Sequence, residues 1–153
     1  MKLAGDIIVA APRQAVFDAL RDARLFASCV DGVRDLHEID ATHYRAVMET
    51  KVAYIKFKFD VAVEVTRIEP PQLIEAKLEG TPHGIVGRLS ATSLTTLSEQ
   101  DGATHVQYEI EAALTGKLGS LGQPVIRSKA KEMERQFAAK LAAAFATQAT
   151  PAP

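Results

Sequence analysis

Four histidines, one cysteine, a glycine-lysine segment and several acidic pairs are the residues of this chain that could do chemistry. His37, His43, His83 and His105 do not pair with one another at metal-ligand spacing. Cys29 has no second cysteine with which to build a disulfide, a zinc site or an iron–sulfur site. No metal is expected, and surface or strand-edge roles suit the histidines. His83 stands out because a Pro-His-Gly segment can sit at a cavity mouth. A nucleophilic Cys29 would need a base beside it in space, and a small buried apolar residue is the expected reading. Gly116-Lys117-Leu118-Gly119 lacks the Gly-x-x-x-x-Gly-Lys-Ser/Thr order of a phosphate loop. Its glycines suit a chain that leaves a strand to approach a helix closely, with Gly116 in a conformation glycine favours. Glu109 and Glu111 fall on the wet face of a strand, where carboxylates are solvated rather than set up as an acid/base pair. No catalytic residue is assigned.

The positions with the right chemistry for an apolar ligand are Phe26, Met48, Phe57, Phe59, Leu78, Tyr108, Leu121, Val125, Met133 and Phe137. Phe57, Phe59, Tyr108, Met133 and Phe137 either fill a dry core or line a pocket. Methionine adapts to an irregular ligand, and the Tyr108 hydroxyl could orient one. Phe59 and Phe137 are expected to face each other across the sheet–helix interface. Arg127, Lys129, Lys131, Arg135 and Lys140 accompany Glu132 and Glu134 near the C-terminus. They read as a solvated face, or as a basic surface for anionic lipid or an acidic partner if they share one side.

The elements that must position these residues follow from periodicity. Lys2–Ala10 reads as a strand, with Leu3, Ile7 and Val9 on one face. Pro12 suits a first helical turn, and Ala15, Val16, Ala19 and Leu20 make an apolar stripe behind it. Asp22 is placed to cap a second short helix with Leu25, Phe26 and Cys29, which Asp31-Gly32 ends. The period then becomes two. Val33–Ile39 and His43–Val52 form a hairpin. Ile55–Arg67 alternates Ile55, Phe57, Phe59, Val61, Val63 and Val65 with mostly polar residues. Strands follow around Ile74–Leu78, along Ile85–Leu97, and around Val106–Leu114 after an Asp101-Gly102 turn. A long helix over Leu121–Ala146 carries Leu121, Val125, Met133, Phe137, Leu141 and Phe145, with Pro124 in its first turn.

With 153 residues, 47% of them apolar and 24% charged, one domain over 1–146 with a frayed tail over 147–153 accounts for the whole chain. Eighteen basic and nineteen acidic side chains leave a net charge of -1, which disfavours a nucleic-acid partner. No apolar run approaches the ~20 residues that span a bilayer, and Met1-Lys2-Leu3-Ala4-Gly5-Asp6 has no signal-like apolar region, so a cytoplasmic protein is expected. The class is α+β: a curved antiparallel sheet wrapped around a long C-terminal helix, with two short helices after the first strand.

Several segments carry a resemblance. The whole order looks like the START-like, or Bet v 1-like, helix-grip superfamily. Ala11-Pro12-Arg13-Gln14-Ala15-Val16-Phe17-Asp18-Ala19-Leu20 resembles the opening helix of the carbon monoxide dehydrogenase CoxG family. Cys29-Val30-Asp31-Gly32 is similar to that family's Cys-Ile-Pro-Gly segment, with Asp31 in place of the proline. Gly116-Lys117-Leu118-Gly119-Ser120-Leu121-Gly122 resembles its Gly-Lys-Leu-x-x-Leu-Gly entry to the last helix. The resemblance implies a non-catalytic accessory protein of a carbon monoxide dehydrogenase-type molybdenum hydroxylase, acting in maturation, membrane recruitment or electron hand-off. It implies a bound hydrophobic small molecule, a quinone or a lipid, and peripheral contact with the inner face of the membrane. Many relatives carry an Ala/Pro-rich linker and a hydrophobic C-terminal anchor, and Thr150-Pro151-Ala152-Pro153 looks like the start of such a linker. Two alternatives stay open: an enzyme of the polyketide cyclase/aromatase or hydrolase type on the same fold, or a structural interaction protein without a ligand.

Overall fold

The computed structural model describes residues 1–149. Strand β1 (Lys2–Val9) leads into helices α1 (Arg13–Arg21) and α2 (Ala23–Ser28). Strands β2 (Val33–Glu38), β3 (His43–Val52), β4 (Ile55–Glu69), β5 (Leu73–Pro82), β6 (Gly87–Gln100) and β7 (Ala103–Gly116) follow. A 3-10 turn, Gly119–Leu121, precedes helix α3 (Gln123–Ala149). The seven strands form one antiparallel sheet in the order β1-β7-β6-β5-β4-β3-β2. Consecutive hairpins build it from β2 to β7, and β1 closes it beside β7.

Local chemistry explains the joints. Pro12 has an extended backbone and α1 begins directly after it. Asp22 Oδ1 accepts from the backbone N–H groups of Arg24 and Leu25 at 3.1 Å each, a cap worth about 1 kcal/mol. Asp101 (φ +55°) and Gly102 (φ +79°) form the tight β6–β7 turn that this pair favours. Ala53 (φ +49°) and Tyr54 (φ +72°) make the same kind of turn between β3 and β4 with residues that enter it reluctantly. Gly116 has φ +62°, and a Cβ there would lie 2.4 Å from the Val86 carbonyl oxygen.

Register sorts the faces. Phe57, Phe59, Leu97, Val106 and Ala112 are buried on the concave side. A bulge between Val65 and Arg67 resets the alternation, so that Ile68 returns to that side opposite Ile74. Ile55 departs from the alternation expected of it: it closes the β3–β4 turn opposite Val52 and is half exposed.

Two separate apolar clusters result. One joins α1 and α2 through Val16, Phe17 and Cys29 to Val9, Leu97, Val106 and Leu141 of α3. The other lies at the opposite end of the strands, where Phe57, Phe59 and Leu118 pack with Ile85, Leu89 and Leu121. Cys29 is thus the small buried residue anticipated. Phe59 and Phe137 do not meet. Phe137 packs on the first cluster and against Phe26, with ring centroids 5.1 Å apart, while Phe59 belongs to the second. The helix starts at Gln123 rather than Leu121, because Gly122 (φ +86°) separates it from the 3-10 turn, and Pro124 lies in its first turn. Of the tail expected at Thr147–Pro153, the backbone to Ala149 continues α3, and residues 150–153 lie outside the described residues.

Phe59→Ala should lower unfolding stability by the ~3–5 kcal/mol typical of a packed core, read from urea denaturation. A loss well under that range would mean that Phe59 faces open space. Gly116→Val should lose roughly 2 kcal/mol or more, because both the positive φ and the neighbouring carbonyl oppose a side chain. An unchanged melt would show that this backbone position relaxes freely.

Candidate ligand-binding site

Between the two clusters the concave face is lined by small residues. Register places Val63, Leu78, Ala91 and Ala112 in one row across β4, β5, β6 and β7. The next row runs Val65, Ala76, Ser93 and Ile110. Alanine and serine at the middle of both rows leave volume that leucine or phenylalanine would fill. Helix α3 lies over this face, with β1 and β3 as its main strand neighbours. Among its described residues before Leu141 none is fully buried. A cleft of about 610 Å³ results, bounded by Leu78, Ala91, Ala112 and Leu114 of the sheet and by Gly119, Gly122, Gln123 and Ile126 at the approach to α3. Its volume falls within the ~300–1,000 Å³ typical of small-molecule pockets.

One polar pair stands farther along the same face. Tyr108 donates its hydroxyl hydrogen to Glu134 Oε1 of α3. Gly5 of β1 lies directly opposite Tyr108, and a Cβ at that position would sit 2.0 Å from Glu134 Oε1 and 2.6 Å from the Tyr108 oxygen. The missing side chain is what admits the pair. Partial burial, followed by the hydrogen bond to Glu134 and its negative charge, raises the Tyr108 phenol above its usual range, and Asp6 adds in the same direction. Lys131 Nζ lies 4.0 Å from Glu134 Oε2 on the exposed side.

The ten positions singled out from sequence are spread over α2, the concave face of the sheet, the 3-10 turn and α3. Leu78 lines the cleft. Phe57 and Phe59 stack at 5.9 Å between centroids and pack with Leu121 in the second cluster, and Met48 pairs opposite Phe59. Phe26 and Phe137 meet at the other end, Tyr108 joins Glu134, and Val125 and Met133 are half-buried on α3. His83 does not line the cleft: its Nε2 is 2.9 Å from Asp60 Oδ2 at the surface. Sequence reasoning missed Ala91, Ala112, Gly122, Gln123 and Ile126 as lining, and Gly5 and Glu134 as a matched pair. The signal for the alanines was their recurrence at inward positions of successive strands. Four basic residues of α3 take individual partners, with Arg127 donating to the Lys2 carbonyl oxygen, Lys129 near Glu132, Lys131 near Glu134 and Lys140 near Asp31. Among the described residues, no three His, Cys, Asp or Glu side chains gather as a metal site, and no helix is long and apolar enough to cross a membrane.

A curved sheet, a long C-terminal helix laid across it and a cleft between them define a START-like helix-grip domain. This chain belongs to the carbon monoxide dehydrogenase CoxG family, whose profile matches residues 5–146. Among solved structures, it is similar to a conserved protein from Geobacillus kaustophilus, with 26% identity, a TM-score of 0.88 and 96% of each chain covered. A START superfamily protein from Mycobacterium smegmatis shares the fold at 9% identity and a TM-score of 0.67, covering 93% of this chain and 94% of that one. The di-domain ARO/CYC BexL of the BE-7585A biosynthetic pathway does so at 16% identity and a TM-score of 0.64, over 100% of this chain and 51% of that one. A search of curated proteins finds no match.

The Tyr108 contact has a pH signature. Its raised folded value means that its stabilising contribution is whole below pH ~10 and fades as pH rises beyond that. Wild type and Tyr108→Phe should therefore show the same tyrosinate absorbance at pH 10 and diverge only at higher pH. Glu134→Gln should bring that divergence down in pH. Divergence already at half its final size near pH 10 in the wild type would mean that the hydroxyl titrates as a free phenol, without Glu134.

Proposed function

We propose that this chain is a non-catalytic carrier that holds an apolar small molecule, a quinone or a lipid, between its sheet and α3. In this reading it serves a molybdenum hydroxylase of the carbon monoxide dehydrogenase type, through membrane recruitment or electron hand-off. The observation that carries the reading is the break between the two apolar clusters. A domain selected only for stability would fill the rows at Ala76, Ala91, Ser93 and Ala112 with larger side chains, since each buried methylene adds about 0.8 kcal/mol. Family membership supports the accessory role and the kind of enzyme served. Tyr108 and Glu134 supply a hydrogen-bonded polar locus on a face that also carries Ser93 and Thr95, suited to orienting a carbonyl or hydroxyl of the ligand.

The likeness to an aromatase/cyclase keeps an enzymatic reading in view. That reading needs converging acid, base and oxyanion groups. Tyr108 and Glu134 do meet, but His83 is engaged with Asp60 at the surface and does not join them as a base.

Native mass spectrometry of protein purified from its own host should reveal a co-purifying quinone or lipid. Added menaquinone or ubiquinone should raise the melting temperature, by the equivalent of ~2.7 kcal/mol at a hundredfold excess over Kd. Ala91→Leu, which fills the floor of the cleft, should sharply reduce that shift while altering the unliganded melt little. Protein that carries no ligand and shows no shift with either quinone would remove the carrier reading.

A further inference from the structure

Antiparallel meandering sends the turns of this sheet alternately to two ends, and the turns at the two ends differ in charge. One set comprises the β3–β4 turn region (51–58), the β5–β6 loop region (81–88) and the approach to α3 (115–122). These segments hold Lys51, Lys56, Lys58, Arg88 and Lys117 and not one Asp or Glu. Lys56 and Arg88 reach back to carboxylates on the strands, Glu49 at 3.8 Å and Glu79 at 3.2 Å, and both stay exposed. The other set comprises the turn regions 38–43, 69–73 and 99–103. They hold Glu38, Asp40, Glu69, Glu99 and Asp101 and not one Lys or Arg. Glu49 opposite Lys58 and Asp60 opposite Thr81 border the basic set, and Arg67 pairs with Glu69 beside the acidic one, but within the turn segments themselves the charges are sorted by end.

The basic end also exposes apolar side chains. Tyr54 is 96% exposed, Val86 84% and Ile55 50%. Tyr54 and Ile55 project at the β3–β4 turn, whose left-handed backbone at Ala53 and Tyr54 holds the tip sharply folded. An aromatic and a branched aliphatic residue set among lysines match the two layers of a bilayer surface, with anionic headgroups outside and acyl chains beneath. A nucleic acid would use the lysines and could stack a base on Tyr54, but it has no apolar layer for Ile55 and Val86, whereas a bilayer takes all three together with the lysines. Gly119 and Gly122, which border the cleft, belong to the same end, so a ligand leaving the bilayer there has a short path inward.

We infer that this end of the sheet docks on an anionic lipid bilayer, with Tyr54, Ile55 and Val86 entering the headgroup region and the five cations contacting lipid phosphates. The assignment deepens the membrane part of the proposed function and rests on surface residues distinct from those lining the cleft.

Sedimentation of the full chain with phosphatidylcholine vesicles, with and without phosphatidylglycerol, tests it. Binding should require the anionic lipid and weaken as salt rises, because exposed charges are screened. Lys51→Gln with Lys56→Gln should weaken binding about twenty-fivefold, at about fivefold per lysine. Tyr54→Asn with Ile55→Ser should weaken it by roughly tenfold or more even at low salt, and asparagine tolerates the left-handed backbone at 54. Asp101→Asn at the far end should leave binding unchanged. Circular dichroism melts of each variant establish that losses do not come from unfolding. No binding to anionic vesicles, or equal losses in the tip and far-end variants, overturns the assignment. So does tighter binding to heparin than to vesicles at equal salt, which would give this end to an acidic macromolecule. Ala91→Leu separates this assignment from the carrier reading: it should lose the quinone-induced melting shift and keep vesicle binding.

Discussion

Burial of Leu141 among α1, α2 and the ends of β1, β6 and β7 is the contact on which the arrangement of the domain turns. It fastens α3 near its C-terminal end. Phe137, half-buried, extends the same cluster and packs on Phe26. Before that point its apolar side chains, Val125, Ile126 and Met133 among them, are only half-buried, and polar contacts run through Glu134 to Tyr108 and through Arg127 to the Lys2 carbonyl oxygen. Hydrogen bonds of this kind add only about 1 kcal/mol each, but they set position sharply. The helix is therefore located over the sheet without being pressed onto it. The cleft exists because apolar burial is concentrated at the two ends of the strands, while the middle rows carry alanine and serine.

Most of the framework is legible in the chain because each element announces its own period. Alternation along Ile55–Val65 and Val106–Leu114, Asp22 ahead of a short helix, Asp101-Gly102 between strands and Gly116 at the strand exit are local signals. The structure realises each of them, save at Ile55. What stays hidden depends on relations between distant elements. Periodicity says which side of α3 is apolar but not how far that side stands from the sheet, nor which stretch of it meets which strand. Phe59 and Phe137 match on chemistry alone, and the length of the strands places them in different clusters. Ala91 and Ala112 look ordinary one by one and become a floor only when register aligns their strands. Glu134 reads as one of several charges on a helix until Gly5 and Tyr108 are found beneath it.

The same separation of roles bears on how a START-like domain accommodates new ligands. Most of the fully buried apolar side chains belong to the two end clusters, and of the cleft lining named above only Ala112 is fully buried. Substitutions at Leu78, Ala91 or Ile126 can thus reshape the cleft while Phe57, Leu118 and Leu141 keep the domain folded. The Tyr108–Glu134 contact is more constrained, because any side chain at position 5 would collide with it.

The sorting of charge along the strands has a kinetic side. Cations gathered in the turns at one end and carboxylates in those at the other contribute an electric dipole along the long strands. Near an anionic surface, the field exerts a torque that turns the basic end forward before contact, within the ~8 Å over which charges are felt at physiological salt. Random tumbling would present the correct end in only a fraction of encounters, and the torque raises that fraction. In the docking proposed above, arrival speed and final orientation would both depend on the same turn residues, independently of how firmly the protein holds once it has landed.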